Sequence, residues 1–134
     1  MKKSIVFLIL TIFYISTVLG QTKQSNSFKD ATFCGKVGES GAKGGFYTVA
    51  ELQNCDFKII PVDSNFTVTE FQLSLVAKGE LYQYQERKIK GNEIPKEERT
   101  RILTQTKNVF IEQIKAVNKE GQIINIKPIA VRIQ

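Results

Sequence analysis

The stretch FTVTEFQLSLVAK at residues 66–78 decides the fold class, because apolar and polar side chains alternate along it with the period of a β-strand. The apolar side chains that share one face, taken here as the core face, are Phe71, Leu73 and Leu75. A second alternating run, LYQYQERKI at 81–89, follows after a short connection that contains Gly79. Two such runs so close together predict an antiparallel β-hairpin.

The same reasoning predicts strands on both sides of this hairpin. They lie at Ala31–Val37, Asp56–Val62, Asn108–Val117 and Gln122–Ile133. In the third of these, Phe110, Ile114 and Ala116 are expected on one face of the strand. Pro61 and Pro128 lack the N–H that a central strand needs, so the second and fourth strands are predicted to be edges or to be interrupted there.

Two short helices and two loops complete the pattern. Thr48 and Glu51 have the spacing of a capping box, which predicts a helix ending near Asn54. Pro95 opens a second helix over Lys96–Thr106, in which Ile102 and Leu103 are the apolar contribution. Gly38–Gly45 reads as a flexible loop and Asn118–Gly121 as a turn. The fold class is therefore mainly β: an antiparallel β-sandwich-like domain with one or two short helices, spanning residues 31–134.

The first thirty residues are predicted to lie outside this domain. Lys2 and Lys3 precede an apolar run of about 15 residues, and Gly20 is a suitable residue before a cleavage point, so residues 1–20 have the layout of a signal peptide. The alternative is an uncleaved membrane anchor, although the run is shorter than the roughly 20 residues that span a bilayer. Residues 21–30 are polar and are expected to be a disordered lead-in.

Composition removes several kinds of chemistry. The 134 residues contain no His, which excludes a Ser-His-Asp triad, a Cys-His dyad and any histidine metal site. The 19 basic and 13 acidic residues give +6, and loss of Lys2 and Lys3 leaves 17 against 13, or +4. Acidic residues interrupt the basic ones, so no nucleic-acid partner is expected. A non-catalytic binding or structural module without a cofactor is favoured over an enzyme.

Cys34 and Cys55 are the only cysteines, and export would carry them into an oxidising compartment. A disulfide between them is predicted. The alternative is a pair of buried thiols. A catalytic thiol is not expected, because the chain offers no histidine as its base and no C-x-x-C spacing.

The sequence contains three other groups of candidate site residues: acidic residues, possible calcium ligands and two tyrosines. The acidic residues Glu51, Asp56, Asp63 and Glu70 show no spacing that singles out a catalytic pair. Asp56, Asp63 and Asn65 lack the dense spacing of a calcium loop and are expected to be turn residues. Tyr82 and Tyr84 share one face of their strand, and they either cover the core or form an exposed aromatic patch for a protein partner. The strand edges are the second candidate binding surface.

An ordered series of short, loose motifs resembles the C-terminal domain of the gliding-motility and type IX secretion protein GldM, also called PorM. The matching positions, which together cover about residues 36–133, are Ser40-Gly41, Gly44-Gly45, Thr48-x-x-Glu51-Leu52, Phe66-x-Val68-x-x-Phe71, Gly91-x-x-Ile94, Phe110-Ile111-Glu112-x-Ile114-x-Ala116, Gly121 and Pro128-Ile129. Their order and spacing carry the resemblance more than any one of them does.

The resemblance implies a periplasmic β-rich domain of a Bacteroidetes-type bacterium that docks on other components of a secretion apparatus. The large protein has a membrane helix and a long periplasmic region before this domain, so its motor activity is not carried over. The sequence thus predicts a periplasmic or secreted module that binds proteins in the periplasm or at the outer membrane. The alternatives are a small secreted hydrolase or inhibitor on a β scaffold, and a membrane-tethered accessory protein.

Overall fold

The computed structural model describes residues 28–39, 45–79 and 84–134, and the predicted signal peptide lies outside them. Within these ranges the strands are β1 Phe28–Lys29, β2 Ala31–Phe33, β3 Lys36–Val37, β4 Gly45–Tyr47, β5 Ile59–Pro61, β6 Thr67–Ala77, β7 Tyr84–Lys90, β8 Thr106–Val117, β9 Ile123–Ile126 and β10 Ile129–Ile133. The helices are α1 Val49–Gln53 and α2 Lys96–Gln105. The described part of the chain is mainly β, which confirms the predicted fold class.

A large sheet is built around the long antiparallel pair of β6 and β8. β7 pairs antiparallel with the other side of β6, which confirms the predicted pairing of the two alternating runs. On the other side of β8, the strands β9 and β10 both pair antiparallel with β8. They keep the same register against it, and the pairing is interrupted at Lys127 and Pro128. The predicted interruption at Pro128 is therefore confirmed, but the prediction of an edge is wrong. β1 and β4 pair in parallel with the outer sides of β9 and β10.

The pairing of β6 with β8 shifts register at three points, and the first two shifts decide which residues in the middle of these strands enter the core. The pairing shows one extra residue on β6 at Thr69 and one on β8 at Gln113, which has a φ of 49°. The alternation of β8 shifts by one residue at Gln113, so the buried apolar residues are Val109, Ile111, Ile114 and Ala116. The prediction that Phe110 shares one face with Ile114 and Ala116 is wrong for this reason. Phe110 is half-buried on the opposite face.

A three-stranded sheet in the order β3-β2-β5 packs against the large sheet, and the two sheets share one hydrophobic core. Ala31–Val37 is not the single strand that was predicted. Cys34 and Gly35 have φ values of 52° and 76°, and this two-residue turn folds the segment into the hairpin of β2 and β3. β5 ends at Pro61 on the edge of the sheet, as predicted for that strand.

Both predicted helices are confirmed. Thr48 caps α1, where its hydroxyl accepts a hydrogen bond from the Glu51 N–H at 3.1 Å. Pro95 is the N-cap of α2, and Ile102 buries its side chain beneath that helix. The turn at Asn118 is also confirmed, since its side chain accepts hydrogen bonds from the N–H groups of Glu120 and Gln122.

The predicted disordered lead-in, residues 21–30, extends too far towards the C-terminus, because its last residues include a strand. Residues 21–27 lie outside the described ranges, but Phe28–Lys29 form β1 and pair with Asn125 and Ile126 of β9. The Lys29 carbonyl also accepts a hydrogen bond from the Lys127 N–H at 2.8 Å. Pairing with β9 orders these residues, although their polar surroundings in the sequence gave no sign of a strand.

Candidate functional site

The structure places the tyrosines and the cysteines that were predicted as sites in different parts of the fold. Tyr84 begins β7 opposite Val76, while Tyr82 and the side chain of Tyr84 lie outside the described part of the structure. Cys34 and Cys55 form the predicted disulfide, with 5.0 Å between their Cα atoms. The bond joins the β2–β3 turn to the segment that follows α1, so it pins the three-stranded sheet in place.

Three aromatic side chains form the floor beneath the three-stranded sheet. Phe33 contacts both Tyr47 and Phe57 edge-on, with 6.0 Å between ring centres in each pair. The Tyr47 hydroxyl donates a hydrogen bond to the Phe33 carbonyl at 3.1 Å. Burial raises the pKa of Tyr47, and the nearby carboxylates of Glu51 and Glu39 raise it further. The sheet therefore rests on a closely packed and hydrogen-bonded support.

The outer face of the same sheet carries exposed aliphatic side chains. Val37 and Ile60 lie in register on either side of Thr32, and they are 54% and 49% exposed. Val62 directly follows the end of β5 and is 60% exposed. Its N–H donates to the Asp30 carbonyl at 3.0 Å. We call Val37, Ile60 and Val62, with Thr32 between the first two, the apolar row. Neighbouring exposed aliphatic residues of this kind mark interaction surfaces more often than isolated ones do.

The free edge of β5 is poorly suited to strand addition. The Ile59 N–H points away from β2 and donates to the Asn92 carbonyl at 2.8 Å, while the Val62 N–H points back to Asp30. Pro61 occupies the position between them at which the next outward N–H would lie, and proline has none. The only outward N–H between Ile59 and Val62 is therefore that of Ile59, and it is already bonded. A partner on this sheet would contact the side chains of the apolar row instead.

The large sheet has its own free edge at β7, which the sequence analysis did not identify as an edge. Among the strands that the structure describes, β7 pairs only with β6, and its exposed positions are mostly charged: Glu86, Arg87, Lys88 and Lys90. Charged side chains on an edge strand disfavour the addition of another strand. This edge is consequently a weaker candidate for protein binding than the apolar row.

A groove of about 330 Å³ runs between α2 and β7. Leu73 and Leu75 of β6 form its floor, and Arg87 on β7 makes an ion pair with Glu98 on α2. Glu98 is only 5% exposed, and the sequence analysis missed it. The signal was its position four residues before Ile102, since residues four apart lie on the same face of a helix. We call this feature the α2–β7 groove.

The residues considered as calcium ligands instead make local turns, as expected. The Asp63 carboxylate accepts hydrogen bonds from the backbone N–H and the side-chain amide of Asn65, both at 3.1 Å. The Asp56 carboxylate accepts one from the Lys58 N–H at 3.2 Å. Both arrangements are Asx turns, in which the side-chain oxygen replaces a backbone carbonyl.

The comparisons with known proteins add no assignment to this geometry. No protein-family model matches the chain, and a search of the curated proteins finds no match. Neither helix in the described ranges has the length and apolar character required to cross a bilayer. The case for function therefore depends on the surfaces described above.

Proposed function

We propose that the chain is an exported, non-catalytic protein-binding module that docks through the apolar row. The observation that carries this proposal is the exposure of Val37 and Ile60 on either side of Thr32 in the three-stranded sheet, with the exposed Val62 just beyond the end of β5. Three exposed aliphatic side chains gain free energy when one partner covers them, about 1 kcal/mol each for the exposed half. Single exposed aliphatic residues need no such explanation.

The support beneath the row favours binding with little loss of conformational freedom. The Cys34–Cys55 disulfide and the ring contacts of Phe33 hold the sheet before any partner arrives. A preorganised surface binds more tightly than a mobile one that presents the same side chains. The disulfide also fits an oxidising compartment outside the cytoplasm, which agrees with a periplasmic or secreted location.

The resemblance to the GldM C-terminal domain suggests the kind of partner. We propose that the module is an accessory of gliding motility or type IX secretion, and that its partners are proteins of the periplasm or outer membrane. The mainly β architecture is compatible with this resemblance. The partner surface should be apolar at its centre, to match the row.

Site-specific photo-crosslinking in the native host tests the proposal. A benzoyl-phenylalanine at position 60 should give one dominant crosslinked protein of the cell envelope. The matched control is position 123, because Ile123 is 59% exposed on β9 of the large sheet and lies outside the row. Equal crosslinking from positions 60 and 123, or none from position 60, would contradict docking through this face.

A charged substitution within the row provides the second arm. Val62→Glu should weaken the crosslink from position 60 about tenfold, because it removes apolar contact and places a charge in the interface. Ile123→Glu should leave that crosslink unchanged. Both side chains are exposed, so thermal unfolding of the two variants should match that of the parent chain. A loss of crosslinking that follows a loss of folding would not support the proposal.

A further inference from the structure

The two carboxylate oxygens of Glu98, in the α2–β7 groove, differ in their hydrogen bonding. Oε1 accepts a hydrogen bond from the Arg87 guanidinium. Oε2 is buried and has no hydrogen-bond partner among the described residues. A buried carboxylate oxygen without a donor lowers stability, because it has lost the hydrogen bonds that it would make with water. Such an oxygen in a folded protein calls for a specific explanation.

The surroundings of this oxygen define what could supply the donor. The groove floor is aliphatic, formed by Leu73 and Leu75. Its walls carry three carboxylates, those of Glu86, Glu97 and Glu98, against the two guanidinium groups of Arg87 and Arg101. Arg101 also donates to the Gln85 side chain, which directs part of its donor capacity away from Glu98. An acceptor above an apolar floor, with acidic groups in excess, suits a cation on an aliphatic stem.

We propose that the α2–β7 groove binds the aliphatic ammonium group of a lysine side chain from a protein partner. The four methylenes lie along Leu73 and Leu75, and the ammonium donates to Oε2 of Glu98 while Arg87 keeps Oε1. The Arg87 side chain, which pairs with Glu98, is 58% exposed, and the ammonium reaches the buried Oε2 when this side chain shifts. This site does not involve the apolar row and stands independently of the proposed function.

The inference is tested by NMR titration of the full exported chain with two blocked amino acids. N-acetyl-lysine N-methylamide should shift the methyl resonances of Leu73 and Leu75 and bind about tenfold more tightly than N-acetyl-norleucine N-methylamide, which has the same stem without the ammonium. Equal affinities, or no lysine-dependent shift at these methyls, would overturn it. This comparison uses the unmodified chain and so does not depend on the folding of a variant.

Two variants and one further probe sharpen the test. Glu98→Gln should abolish the preference for lysine over norleucine, whereas Glu97→Gln, which removes the same charge from the same groove, should retain it. Loss of the preference in both variants would indicate general electrostatic attraction and overturn the assignment to Glu98. Tighter binding of 1,4-diaminobutane than of the lysine probe would overturn the assignment to a protein side chain.

Discussion

The Tyr47 hydroxyl on β4 donates a hydrogen bond to the Phe33 carbonyl on β2, and the two oxygens are 3.1 Å apart. This bond links the large sheet to the three-stranded sheet from inside the core. It lies directly under the strands that carry the apolar row. The rigidity of the proposed binding surface thus depends on a buried polar contact as well as on the disulfide.

Tyr47→Phe should therefore lower the free energy of unfolding by about 1 kcal/mol, because it keeps the ring but removes the donor of this buried hydrogen bond. Urea unfolding of the two proteins measures the difference. Thr32→Val is the matched control, since it removes a longer, exposed hydrogen bond of 3.4 Å to the Ile60 carbonyl on the same sheet. A larger loss in the Thr32 variant than in the Tyr47 variant would contradict this account.

Alkaline pH should reduce the advantage of Tyr47 over phenylalanine. The pKa of Tyr47 is raised above its ordinary value of 10.0, chiefly by burial, and its neutral form is the protonated one. Its contribution to stability is therefore fully present below about pH 10 and is lost as the pH rises through the folded-state pKa. Unfolding curves of parent and Tyr47→Phe should converge above pH 10. A constant difference across that range would show that the pKa of Tyr47 is the same in the folded and the unfolded chain.

Acid should weaken the sheet through Glu70. Hydrogen bonds from Lys115 on β8 and Lys88 on β7, at 3.1 and 3.2 Å, hold the pKa of Glu70 below its ordinary value of 4.5. Its contribution is present above about pH 4.5 and is lost as the pH falls through the lower folded-state pKa. The urea midpoint of Glu70→Gln should depend less on pH between 4.5 and 3 than that of the parent. Glu112→Gln, which changes an exposed glutamate of β8, should follow the parent.

Reduction of the disulfide should destabilise the domain by about 3 kcal/mol, because the unfolded chain regains the freedom of a loop of 21 residues. Urea unfolding with and without dithiothreitol gives this difference. The double variant Cys34→Ser/Cys55→Ser should show no response to dithiothreitol. An unchanged midpoint of the parent on reduction would mean that the bond constrains neither state.

Gly38→Ala should destabilise the domain by about 1–3 kcal/mol through overpacking. A Cβ at Gly38 would overlap the side chain of Ile129, which is buried and cannot easily move away. A double-mutant cycle with Ile129→Ala isolates this contact, because the alanine removes the atoms that a Cβ would meet. The cost of Gly38→Ala should be clearly smaller in the Ile129→Ala background. Equal costs in both backgrounds would place the effect elsewhere.

Local sequence pattern was sufficient for elements whose conformation depends on near neighbours. The alternation around Leu73 predicted β6, the Thr48 and Glu51 pair predicted the cap of α1, and Pro95 marked the start of α2. The export hypothesis and the proposed partners are statements of a different kind, and they remain predictions.

Other features depended on residues far apart in the chain. The bulge at Gln113 appears only when β8 is paired with β6, so Phe110 could not be assigned to the correct face from alternation alone. The turn at Cys34 and Gly35 had a local signal in the glycine, but the cysteine obscured it because few residues other than Gly and Asn favour a positive φ.

The sequence by itself determined the periodicity, the caps, the turns and the cysteine pair, because these follow from the geometry of one strand or helix and from the composition. Only the tertiary structure decided that β7 is an edge and that β9 and β10 are not, which face of β8 is buried, and that Glu98 lies in a groove. The physical reason is that edges, burial and register are properties of pairs of elements. A residue such as Ile60 becomes part of a surface only when folding brings Val37 to the other side of Thr32.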